Sequence, residues 1–286
     1  ESHDPFSART TIDTPLGKRV IYRLDALSGF GDAVELRFVN NSRLEDLRCS
    51  GSGSNGVRLT RGDGNLLTAC SASSVGEDCF FLEESDGNTL SMCSSSKGGD
   101  KGIRLSGSGG ECDGNILSGC SVSGSDSDGI LLNGASGRCD GNILRGCSVS
   151  NAGGAGVLLE GCDGTTLQGC NISHSDSFGI SLVGGAGNIL LGNIVRRAGA
   201  RGIVLAQARS CRVEANHVSG VIAGGTSYGI YLTTDSGERN LVIKNSCAGQ
   251  DDNFYLDVND TNGPEVNATG TLPTGVAAHP WANFSH

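Results

Sequence analysis

Nine polar residues between positions 126 and 217 have the types and spacing of a site that moves a proton beside an anion. They are Asp126, Asp128, Asn151, His174, Asp176, Arg196, Arg197, Arg201 and His217. A carboxylate or an imidazole can take a proton near neutral pH, and a guanidinium neutralises a carboxylate. Gathered on adjacent turns of chain, these groups could bind a uronate and remove the proton from the carbon next to its carboxylate. His174 or Asp176 would be the base, Asp128 a further carboxylate, and Arg197 and Arg201 would hold the charge. Asp126, Asn151, Arg196 and His217 would bind the rest of the substrate. Two alternatives stay open: Asp128 and Asp176 as the carboxylate pair of a glycoside hydrolase, or a solvated turn of compensating charges.

Two other groups have chemical potential. Tyr228, Tyr231 and Tyr255 could line a sugar-binding groove. Asp63, Asp86, Asp113, Asp140 and Asp163 each stand in an Asp-Gly dipeptide. Repeated Asx turns, with Gly supplying the positive φ, account for that pattern. A calcium-binding edge through Asp86, Asp113 and Asp140 is the alternative, and no other cofactor is expected.

The elements that must position these residues are written in a repeat. CDGNILSGCSVS runs from Cys112 to Ser123 and CDGNILRGCSVS from Cys139 to Ser150. A second unit, GIxL, begins at Gly102, Gly129, Gly156, Gly179, Gly202 and Gly229, with weaker copies at Ala33, Gly56, Cys79 and Asn253. The steps are 23 residues with four-residue insertions. Each unit holds short alternating apolar pieces broken by Gly, Ser, Asn and Asp, which is a strand pattern. Leu144, Cys147 and Val149 should face one way, as should Val157 and Leu159, with Leu158 facing out. Three strands per turn, stacked turn on turn, make an all-β, right-handed parallel β-helix of about ten rungs. At about 4.8 Å per rung the rod is roughly 45–50 Å long. The 46 glycines, 5 prolines and 5 % aromatic content suit tight corners around a thin core.

Residues 31–260 form the helix on this reading. Residues 1–30 cap its start, and 261–286 form a tail packed on it. Five of the 12 cysteines form one column, Cys70, Cys93, Cys120, Cys147 and Cys170, continued by Asn193, Asn216 and Asn245. Parallel Cα–Cβ vectors on stacked rungs suit free thiols better than disulfides. A disulfide is more open for Cys112, Cys139 and Cys162, which sit beside insertions. Asn65, Asn88, Asn115, Asn142, Asn188 and Asn240 should form a hydrogen-bonded column at another corner. The middle residues of GIxL should point outward, giving an apolar stripe through Leu131, Leu158, Val204, Tyr231 and Tyr255. Either the tail, with Leu272, Val276, Trp281 and Phe284, covers that stripe, or three rods pack there; the molecule is a monomer or a homotrimer accordingly. A formal net charge of −10 argues against nucleic acid as partner. No apolar run is long enough for a membrane span, and no signal-peptide pattern is seen.

GNILxxCxxS…GIxL, with its cleanest copy from Gly187 to Leu205, resembles the right-handed β-helix repeat of carbohydrate-binding proteins and sugar hydrolases. Pectate-lyase-like and mannuronan-epimerase-like proteins carry the same repeat. The resemblance covers roughly residues 33–260. It implies a secreted, periplasmic or cell-surface protein whose partner is an acidic polysaccharide, with a uronate lyase or C5-epimerase activity. The Asp-Pro-His-Glu segment expected of mannuronan epimerases is absent. A non-catalytic polysaccharide-binding or adhesive rod is the other reading.

Overall fold

The computed structural model describes residues 9–14, 17–22, 31–222, 224–233, 239–256, 260–267 and 280–285. From Val34 the chain winds as a parallel solenoid. Stacked residues lie one repeat apart, as in Val57 on Phe80 and Ile103 on Ile130. Three sheets run along the rod, with 10, 10 and 11 strands. The first sheet begins with Val34–Arg37 and ends with Asp252–Tyr255. The second runs from Arg43–Glu45 to Thr261–Asn262, and the third starts at Arg48–Ser50. Arg9–Thr14 and Gly17–Tyr22 form a separate antiparallel hairpin. Residues 1–8, 15–16 and 23–30 lie outside the described set, and with them most of the expected N-terminal cap.

Each turn bends at left-handed positions. In one turn Gly146, Asn151, Gly161 and Gly164 have φ of 60°, 53°, 61° and 60°. Gly has no Cβ penalty there and Asn only a small one, which is why these residues punctuate the repeat.

Between corners, alternate residues point inward. Leu144, Cys147, Val149, Val157 and Leu159 are all buried, as the alternation requires. The cysteine and asparagine positions form one continuous column with one shared task. Cys147 Sγ donates to Leu117 O at 3.5 Å and Cys170 Sγ to Leu144 O at 3.6 Å. Asn193 Nδ2 then donates to Leu167 O at 3.1 Å and Asn216 Nδ2 to Leu190 O at 3.0 Å. Each side chain satisfies a backbone carbonyl of the turn below, so thiol and amide are interchangeable for that bond.

All 12 cysteines are free and buried, including Cys112, Cys139 and Cys162. Burial pushes the Cys49 thiol up to about 11 and raises Cys247 as well. A raised pKa suppresses the reactive thiolate. Because all 12 thiols are buried, the native rod should resist a thiol reagent in the absence of reductant, and denaturant should release 12 reactive thiols. A lower count after unfolding would mean bridged cysteines.

The Asp-Gly corner differs in detail from an Asx turn. Each Asp carboxylate bonds the next turn rather than its own. Asp63 Oδ1 accepts the Asp86 N–H at 2.9 Å, Asp86 Oδ1 that of Asp113 at 2.7 Å, and Asp113 Oδ1 that of Asp140 at 2.7 Å. Arg138 lies 2.8 Å from Asp113 and 3.3 Å from Asp140, which offsets the stacked charge.

The outward stripe follows the expected register, but the rod covers much of it. Phe81, Leu131 and Val204 are only 8 %, 4 % and 5 % exposed. The guanidinium carbons of Arg58 and Arg104 stand 5.2 and 4.7 Å from the Phe81 ring centre. The described part of the tail does not lie on this face. Asn283–Ser285 inserts into the third sheet between Ser246–Ala248 and Glu265–Asn267. Asn283 is fully buried and accepts the Asn245 N–H at 3.0 Å, extending the asparagine column by one place. Trp281 and Phe284 thus belong to the end of the rod, while Leu272 and Val276 lie outside the described residues.

Candidate functional site

Three neighbouring surfaces carry the residues singled out by type: the outward face of the first sheet, the corner leading into it from the third sheet, and the face of the third sheet. They are occupied in turn by the segment Ile194–Ala206, which passes from one sheet to the other.

The first-sheet face holds the tightest cluster. Arg201 and Tyr228 stack in register at the sheet edge, and Val204, Tyr231 and Tyr255 stack beside them. The Arg201 guanidinium carbon lies 4.2 Å from the Tyr231 ring centre and 5.6 Å from that of Tyr228. Tyr231 and Tyr255 are stacked at 4.8 Å, with Tyr228 tilted against both at 5.0 and 5.6 Å. Parallel in-register strands force this contact, because equivalent side chains on successive turns must sit side by side. A guanidinium on aromatic faces keeps its N–H edge free for an anion. Tyr231 lies between Arg201 and Tyr255, so the patch offers ring edges and the uncovered side of Tyr255 to a sugar.

The corner holds Asn151, His174 and Arg197, with φ of 53°, 54° and 54°. Ser74 and Lys97 share that column and that conformation, so the left-handed backbone belongs to the solenoid corner and is not strain peculiar to a site. Arg197 Nη1 and His174 Nε2 are 3.2 Å apart. That contact engages the imidazole nitrogen that would otherwise take a proton. Asp126 and Asp176 are exposed on the same corner, two residues further along. Gly153 and Gly199 lie over their carbonyls, and a Cβ there would come within 2.3 and 2.1 Å of the Asp126 and Asp176 oxygens. These stacked backbones explain the glycines between the acidic turns.

Asp128 lies elsewhere, at the first-sheet edge and in the same column as Arg201, Phe178 and Ala155. Three rungs separate it from Arg201, about 14 Å. Its Oδ1 accepts the Ala155 N–H at 2.8 Å, and a Cβ on Gly154 would lie 2.5 Å from that oxygen. Burial holds the Asp128 carboxyl above the usual carboxylate range, while the Ala155 N–H and Lys101 pull it down. Arg196 and His217 are on the third-sheet face. Arg196 Nη1 donates to Asn171 Oδ1 at 3.4 Å, and His217 Nδ1 and Ser246 Oγ are 2.8 Å apart.

The structure thus brings Arg201, Tyr228 and Tyr231 together, and His174 with Arg197. Asp126 and Asp176 share the corner of His174 and Arg197, and Asp128 stands apart from both groups. Asp86, Asp113 and Asp140 are at a different corner, between the first and second sheets, with Oδ1 of each engaged by backbone. Among the described residues no three acidic, His or Cys side chains converge as a metal site needs. Sequence reasoning passed over two groups on the first-sheet face. One is the Arg58–Phe81–Arg104 sandwich, legible as Arg, Phe and Arg at equivalent positions of successive repeats. The other is buried Asp78, whose carboxyl is raised by burial.

Sheet topology, corner geometry and stacked columns define a parallel β-helix that presents an aromatic and cationic outer face. A family model described as the right handed beta helix region matches residues 21–136 and 109–248, and the chain belongs to that family. No curated protein matches the chain by sequence. Among solved structures, the mannuronan C-5 epimerase AlgE6 A-module of Azotobacter vinelandii superposes with a TM-score of 0.64 at 17 % identity, covering 82 % of this chain and 77 % of that one. The exopolygalacturonase of Thermotoga maritima gives 0.58 at 12 % identity over 72 % of this chain and 54 % of that one. The tailspike receptor binding domain of siphovirus 9NA gives 0.57 at 13 % identity, over 82 % and 52 %. At such identities the likeness is one of fold. Among the described residues no helix is long and apolar enough to cross a membrane.

Proposed function

We propose that this protein binds an acidic polysaccharide on the outward face of its first sheet, outside the cytoplasm. The carrying observation is Arg201: its guanidinium lies 4.2 Å from Tyr231, and no carboxylate among the described residues pairs with it. Arg201 takes a sugar carboxylate, and the edges of Tyr228 and Tyr231 with the uncovered side of Tyr255 contact adjoining sugar rings. Two proteins of like fold, a mannuronan epimerase and an exopolygalacturonase, accord by name with a carbohydrate partner. The rod needs no second copy for this, since its own side chains cover much of the outward stripe.

A second reading, turnover of the uronate by a lyase or C5-epimerase step, is favoured by Asp128 alone. Its half-buried carboxyl, raised above the usual carboxylate range by burial, lies on the same sheet edge. At about 14 Å from Arg201 it would act on a sugar further along the bound chain.

The test is a calorimetric titration with polyuronates and with neutral glycans, joined to assays for new double bonds and epimer ratio with and without calcium. Polyuronate should bind, and Arg201→Ala should bind it at least about tenfold more weakly, the loss of a charge-assisted contact. Equal binding by Arg201→Ala, or no preference for the acidic polymer, would overturn the proposal. Turnover lost in Asp128→Asn would establish the second reading.

A further inference from the structure

Several arginines elsewhere on the rod are neutralised by carboxylates, although Arg48, Arg145 and Arg209 are not paired so among the described residues. Arg58 lies 2.7 Å from Glu83, Arg138 2.8 Å from Glu111 and Asp113, and Arg212 is paired with Glu214. Arg196, Arg197 and Arg201 differ. They occur within one turn of a chain of net charge −10, and none has a carboxylate within ion-pair distance among the described residues. Each is oriented instead by a group other than a carboxylate. Asn171 Oδ1 accepts from Arg196, His174 Nε2 faces Arg197, and Tyr231 lies under Arg201. Asp176, on the turn below, is beyond pairing distance of all three.

Their placement is directional. Arg196 ends the strand Ile194–Arg196 of the third sheet, Arg197 is at the corner, and Arg201 begins the strand Arg201–Ala206 of the first. The belt of charge therefore runs across the rod, around its corner, over a contour of at most roughly 17 Å. A guanidinium held by a partner other than a carboxylate keeps its full charge and several N–H donors.

We infer that an acidic polysaccharide seated on the first-sheet face leaves it at Arg201 and continues around the corner, placing further carboxylates on Arg197 and then Arg196. This rests on the binding proposed above and adds to it a second anionic subsite on a different surface, and a direction transverse to the rod.

The experiment compares uronate disaccharide with long polyuronate over a range of salt concentrations. Arg196→Ala/Arg197→Ala should bind the polymer about tenfold more weakly and show a flatter salt dependence, because two charges are gone. Its disaccharide affinity should match wild type. Arg196→Lys/Arg197→Lys should recover much of the salt dependence. Both arginines are exposed, and unchanged thermal unfolding would confirm an intact fold. If the double Ala variant equals wild type on polymer while Arg201→Ala is impaired, the transverse path is wrong and the first-sheet site stands. Equal weakening of disaccharide and polymer would also overturn it. If Arg201→Ala is unimpaired as well, both readings fall.

Discussion

Gly129→Cys is expected to destabilise the rod by about 3 kcal/mol, and Val149→Ser in the same chain to return most of that loss. A Cβ at Gly129 would stand 2.3 Å from Val149 Cγ1 and 2.6 Å from Gly156 O. The same collision recurs along the column. Gly102 faces Val122, Gly156 faces Ile172, Gly179 faces Val195, and Gly202 faces Val218, all at 2.2–2.3 Å. From Gly102 to Gly202, each glycine of GIxL leaves room for a β-branched residue of the turn above. Between the end members Ala33 and Asn253, one position departs from glycine: Cys79, and there the facing residue is Ser95 in place of a valine. A small partner tolerates the extra side chain. The double variant copies that natural pair into the next turns. Urea midpoints of the wild type, both single variants and the double variant form a thermodynamic cycle. A double variant no more stable than Gly129→Cys would show that the backbone contact with Gly156, and not the side-chain pair, excludes a Cβ.

The column logic also explains what could be read before the structure was seen. In-register stacking makes every inward position meet the same geometry again and again, so one repeat of CDGNILxGCSVS carries the evidence of many. The burial of Leu144, Cys147 and Val149 and the asparagine columns were legible for that reason. Outward positions have no such redundancy. Asp126, Asp128 and Asp176 look alike in sequence, yet two are exposed on a corner and one is committed to the Ala155 N–H. Arg201 could be singled out by type, but its stacking on Tyr231 depends on the rotamers of a single pair of turns. The Asp-Gly dipeptides look like local turns in sequence because only the residue spacing within a turn is visible there. Their true partners are 23 or 27 residues away. The apolar stripe was placed on the correct face, but sequence register does not tell how far neighbouring side chains shelter it.

Asn216→Ala should be among the costliest single polar deletions in the rod, about 4 kcal/mol, with Asn216→Cys intermediate between it and wild type. Asn216 is buried and makes four bonds. Its Oδ1 accepts from Asn193 N at 2.9 Å and Asn193 Nδ2 at 3.0 Å, and its Nδ2 donates to Leu190 O and Asn245 Oδ1, both at 3.0 Å. Alanine strands a backbone N–H and loosens a carbonyl, each out of reach of water, and an unmet buried group costs about 1–3 kcal/mol. It also cuts the side-chain chain that runs from Asn193 through Asn245 to Asn283. Cysteine keeps one of these bonds. In the turns below, Cys170 Sγ serves Leu144 O at 3.6 Å as Asn216 serves Leu190 O. A thiol lacks the oxygen that receives the Asn193 N–H, so rescue must be partial. Urea unfolding of the three proteins separates the contributions: the step from Ala to Cys measures the bond to the carbonyl below, and the step from Cys to Asn measures the link along the column. If Cys proves no better than Ala, the thiols of the earlier turns act as packing alone, and the shared donor role of the Cys–Asn column is wrong.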